Sequence, residues 1–132
     1  MMKQENIQEN ITSAINHIEE SMKAFVEKNE KEGIRCVWRA SADLEYALFL
    51  FSLMHQDETP SASWKLNLPA KQVEVGPTLV LVQDLLKEAK DSFEAENFHE
   101  SHKKTWMARG HLLRIHEFFE KKLMKDRKTS SP

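Results

Sequence analysis

The chain is poor in the residues that break or tie a fold, and its charges nearly cancel. Three glycines and four prolines in 132 residues are too few for a many-turned β protein and suit long helices. A lone cysteine, Cys36, excludes an intrachain disulfide and fits a reducing compartment. No run reaches the roughly 18 apolar residues of a membrane span, and MMKQENIQEN lacks the apolar centre of a signal peptide. A cytoplasmic protein without a membrane partner is expected. Net charge is small too: 19 Lys and Arg against 21 Asp and Glu leave −2. No global positive field therefore draws in nucleic acid, although a local basic face stays open. There is no Gly-rich phosphate loop or dinucleotide fingerprint, and no spacing picks out a nucleophile triad. No catalytic residue and no cofactor is assigned.

What is present is helical periodicity. Ile7, Ile11, Ile15, Ile18, Met22 and Phe25 form one amphipathic stripe. It stops at Lys28-Asn29, where Asn29 is expected to adopt the left-handed conformation that closes a helix. A second helix places Ile34, Val37, Ser41, Leu44, Leu48 and Phe51 on its stripe. Its last part, Tyr46–Met54, is apolar on nearly every side, and a helix apolar all round is buried all round. Tyr46, Phe49, Leu50, Leu53 and Met54 are therefore interface candidates, to be covered by another part of the chain or by a second subunit.

A third helix opens at Gly76-Pro77-Thr78, with proline placed in the first turn. It carries Leu79, Val82, Leu86, Ala89 and Phe93 and ends near Asn97. The fourth spans about 98–125, with Trp106, Ala108, Leu112, Ile115 and Phe119 among its apolar positions. The connection at about 56–76 is longer than the roughly 2–8 residues usual between helices. Alternating Trp64, Leu66, Leu68, Val73 and Val75 predict an extended lid there, with a strand or two. The tail 126–132 is expected to fray.

The two halves resemble each other at a constant offset of 68 residues. Glu20 meets Glu88, Phe25 meets Phe93, Asn29 meets Asn97, Trp38 meets Trp106, Leu44 meets Leu112 and Phe51 meets Phe119. The expectation is one all-α domain over 1–132, a four-helix bundle of two duplicated helical hairpins (about 4–55 and 77–125) joined by one long crossover. One hairpin cannot bury its own stripe; two can. The relative direction of the halves stays open.

Through the repeat, Ile34, Ser41 and Leu48 become His102, Arg109 and His116, two turns apart along one line. One reading is an anion-binding groove with Arg109 as fixed charge, His102 and His116 as donors, and Glu45 nearby as a fourth site residue. The other rotates helix four so that Phe98, Ser101, Thr105, Ala108, Leu112, Ile115 and Phe119 make the seam, with the basic line at its edge. Arg39 and Asp43 stand four apart and can pair. Glu45 has no such partner in its own helix, and Arg109 or a histidine of helix four is a candidate. The run HKKTWMAR (102–109) could touch nucleic acid, but the repeat gives Trp106 the place of Trp38 and favours packing. Glu96 and His99 form a single Glu-x-x-His motif across a turn, with Lys28 and Lys31 in the other half, so no metal site is assigned.

An aromatic-rich second helix, with Arg109 followed by His116, resembles the HEPN helical domains, which accompany nucleotidyltransferases or act as ribonucleases. The resemblance covers one hairpin. Gly110 stands where that family usually has a polar residue after the arginine, which puts cleavage in doubt. It implies an anion, nucleotide or RNA site along helix four. The leading expectation is instead a non-enzymatic association module, a homo-oligomer or a subunit docking to another protein.

Overall fold

Four helices follow one another: α1 (Met2–Val26), α2 (Glu30–Met54), α3 (Val75–Glu94) and α4 (Phe98–Ser130). The computed structural model describes residues 2–54, 64 and 73–130, with side chains over 4–54, 64 and 73–125. Among the described residues there is no strand, and no helix is long and apolar enough to cross a membrane. Most of the connection expected to carry strands lies outside them; Val75, placed in it by sequence, is already helical. α4 runs on to Ser130, past the bound of about 125 expected from the sequence.

Both hairpins close in the same way. Lys28 and Glu96 have φ of 62° and 63°. Asn29 N–H donates to Ala24 O and Asn97 N–H to Ser92 O, both at 2.8 Å, while Lys28 and Glu96 N–H reach back to Phe25 and Phe93 O. These paired bonds are the Schellman closure. The left-handed residue is thus the one before the asparagine that the sequence suggests. The asparagine caps the following helix: Asn29 Oδ1 accepts from Glu32 N–H at 3.3 Å and Asn97 Oδ1 from Glu100 N–H at 3.4 Å. An amide oxygen can satisfy a first-turn N–H and a lysine cannot, so each side chain goes where its chemistry is used.

α1 and α4 each pack on both α2 and α3. Contacts between α2 and α4 run in opposite chain order: Glu30 with Lys122, Glu45 with Arg109, Phe51 with His102. These two helices are therefore antiparallel, as are the helices within each hairpin. α3 accordingly starts at the end of the bundle opposite to where α2 stops, the requirement that a long crossover meets.

The core follows the expected stripes on α1 and α3: Ile7, Ile11, Ile15 and Ile18 face Leu79, Val82, Leu86 and Phe93 within one buried cluster. On α2 the buried line is Val37, Ala40, Leu44, Ala47 and Phe51. Ile34, Ser41 and Leu48 are only half-buried. The helix is turned from the expected stripe because the alanines occupy the interior, where small residues permit close approach of helix axes. α4 buries Ser101, Thr105, Ala108, Leu112, Ile115 and Phe119, the rotated seam.

Candidate functional site

These rotations bring His102, Arg109 and His116 to the seam between α4 and α2, where each meets a different residue. His102 is buried; its ring stacks on Phe51 at 4.8 Å and 7°, and Trp64 meets it edge-on at 4.8 Å. Arg109 donates from Nη2 and Nε to Glu45 Oε1 at 3.0 and 3.3 Å. His116 lies edge-on to Trp38 at 4.1 Å. Its Nε2 is 3.4 Å from Glu120 Oε1, but no described residue gives that nitrogen a hydrogen bond. Successive members are seven residues apart, roughly 10 Å along the helix. One small anion cannot touch all three, and the Arg109 charge is met by Glu45.

Beside the Arg109–Glu45 pair, a cavity of about 200 Å³ is lined by Val37, Trp38, Ser41, Ala42, Leu113 and His116, with Glu45 on its wall. Its walls are chiefly apolar. Arg39 forms no ion pair with Asp43. Asp43 turns towards α1, where its Oδ2 is 3.6 Å from His17 Nε2. Asp43 thus lies on the α1 side of α2, whereas Arg39 is exposed.

Two titratable groups sit inside the hairpins. Burial raises the pKa of the Cys36 thiol, with the Glu32 and Glu20 carboxylates adding to the effect. Burial, then the nearby Arg114 charge, lowers the pKa of His111. His99 lies against Trp64 at 5.5 Å, and Glu96 is in the turn. Among the described residues no group of three or more His, Cys, Asp or Glu is placed to hold a metal ion.

The interface candidates divide. Leu50 is buried and Leu53 and Met54 are half-buried, whereas Tyr46 and Phe49 are 51% and 56% exposed. The residue that sequence reasoning missed is Trp38. Expected to pack, it is 54% exposed on the same outward line. Trp106, its counterpart in α4, is half-buried with Trp64 at 5.8 Å. The signal for Trp38 was available: Trp38, Ala42, Tyr46 and Phe49 have helical spacing on the side opposite Leu44 and Phe51.

No protein-family model matches the chain, nor does any curated protein or solved structure.

Proposed function

We propose that this protein is an association module that docks to a protein surface through the outward face of α2. The observation that carries this reading is the line of Trp38, Tyr46 and Phe49, each more than half exposed. Isolated apolar residues on a surface are ordinary, but three large ones aligned on one helix face are not. Tryptophan and tyrosine are also the side chains that most often anchor an interface. A reducing, cytoplasmic setting suits the unpaired Cys36.

The bundle is read as a duplicated hairpin. What supports this is that the turn hydrogen bonds at Asn29 and Asn97 correspond at an offset of 68 residues. The ring pair Phe25–Phe119 likewise maps onto Phe93–Phe51.

The docking reading is tested by comparing tagged wild type with a Tyr46→Glu/Phe49→Glu double variant that retains its helical circular dichroism. A stoichiometric partner, or an untagged copy of the chain, retained by wild type and lost by the variant is the expected result. Identical behaviour of the two proteins overturns the reading.

The alternative, a ligand or RNA site along α4, is favoured by one observation: the cavity bordered by Glu45 and His116. A phosphorylated metabolite, nucleotide or short RNA that raises the melting temperature of wild type but not of Arg109→Ala supports it. Equal responses overturn it.

A further inference from the structure

We infer that the partner at this face is a second copy of the chain, packed α2 against α2 about a two-fold axis at Ala42. The inference rests on the docking reading above and names its occupant. Three pairs of residues lie symmetrically about Ala42 along α2: Arg39 and Glu45, Trp38 and Tyr46, Arg35 and Phe49. A two-fold axis there sets each residue against its counterpart on the other copy, because an isologous interface is self-complementary. Guanidinium then opposes carboxylate, tryptophan opposes tyrosine, and the second arginine opposes the phenylalanine ring. The smallest side chain stands at the point of closest approach.

Packing geometry agrees. Trp38, Ala42 and Tyr46 form a row of spacing four on the helix surface. Helices set nearly antiparallel about such a two-fold axis pack with their axes about 8–10 Å apart, closest where side chains are small. The charges are also disposed for it. Arg39 is exposed and forms no ion pair with a described residue, and both Arg109 donors take Glu45 Oε1 rather than Oε2. Two neighbouring registers do worse. An axis at Glu45 would oppose that carboxylate to itself, and an axis at Tyr46 would set Arg39 against Leu53. The corresponding face of α4 is unsuitable, since Glu117 stands where α2 has Phe49, and Trp64 lies against Trp106.

The test has two arms, both on full-length chain with helical content checked by circular dichroism. Sedimentation velocity between 1 and 200 µM is expected to show wild type passing to twice its 15.4 kDa mass, and Phe49→Glu to weaken the dimer at least tenfold. In a Cys36→Ala background, mild oxidation is then applied to Ala42→Cys and to Ser52→Cys. Residues facing each other at the axis come within the roughly 4.4–6.8 Å between α-carbons that a disulfide needs. Residue 52 lies about 15 Å along the helix from the axis. Rapid linking of the Ala42→Cys chains and slow linking of the Ser52→Cys chains is the expected pattern. A wild type that stays monomeric at 200 µM overturns the second copy, leaving docking to another protein to the tagged comparison. A dimer weakened by Phe49→Glu, in which Ala42→Cys links no faster than Ser52→Cys, overturns the Ala42 axis alone. A dimer indifferent to Phe49→Glu overturns the inference, and the tagged comparison still decides the docking reading.

Discussion

The two hairpins are alike inside and unlike outside. Near each turn a serine hydroxyl donates across to a backbone carbonyl: Ser21 to Gly33 at 2.8 Å in the first, Ser101 to Ala89 at 2.7 Å in the second. The positions correspond, yet the donor sits on the first helix in one hairpin and on the second helix in the other. Charge is exchanged as freely. Lys104 Nζ lies 3.1 Å from Glu88 and 3.8 Å from Glu100. In the first hairpin the two glutamates recur as Glu20 and Glu32, and Cys36 stands where the lysine would be. The corresponding contacts differ in chemistry. On the outer face α2 presents Trp38, Tyr46 and Phe49, whereas α4 has Glu117 at the position that corresponds to Phe49.

The sharpest way to break the comparison is at the aromatic pairs. Phe51 is completely buried between Phe93 and His102, whereas Phe119 stacks on Phe25. Phe51→Ala is expected to cost about 3–5 kcal/mol in urea unfolding, and Phe119→Ala somewhat less. Equality would mean that the His102 stack adds nothing.

Gly33 comes next. A β-carbon there would lie 2.7 Å from the Phe25 ring, which also stacks on Phe119. Gly33→Ala should destabilise by about 1–3 kcal/mol through overpacking, despite the roughly 1 kcal/mol gained in helix propensity. Its counterpart Ser101 already has a β-carbon, so Ser101→Ala should lose only its hydrogen bond, about 1 kcal/mol.

The pH dependence separates the hairpins at Asp43 and His111, which also correspond. The folded-state pKa of His111 lies below its ordinary value of 6.5. Above that value both states are neutral and stability is level. As pH falls through it, the unfolded chain takes up a proton that the folded chain resists, and stability drops until the folded value is passed. Melting curves from pH 7.5 to 5 should fall less for His111→Gln than for wild type.

The smallest effect is expected at Arg109→Ala. Its partner Glu45 is over half exposed, and such pairs contribute about 0–1 kcal/mol. A larger loss in thermal unfolding would show that the seam depends on this charge.

The stripes of α1 and α3 were legible because each presents one face to the core. α2 misled because its apolar residues nearly encircle it, so periodicity could not tell which side faced in; the alanines decided it through packing. The left-handed turn residue was misplaced by one because asparagine suits both that conformation and a helix cap. Helix four was legible only as two alternatives, separated by the burial of Ser101 and Thr105 rather than His116. The antiparallel order of α2 and α4 was not legible, since a long crossover permits either direction. Trp38 escaped notice because a tryptophan invites assignment to the interior.

The separation of each hairpin along the chain has a consequence for synthesis. α1 and α2 can close on each other as soon as both have emerged, because their turn is short and self-contained. The side of that hairpin destined for the core must then wait for residues 75–125. At about 5–20 residues per second, that wait is roughly 4–14 seconds, far longer than helices take to form. Through that interval the nascent chain shows apolar surface on two sides, one to be covered by its own second half and one that the finished bundle leaves bare.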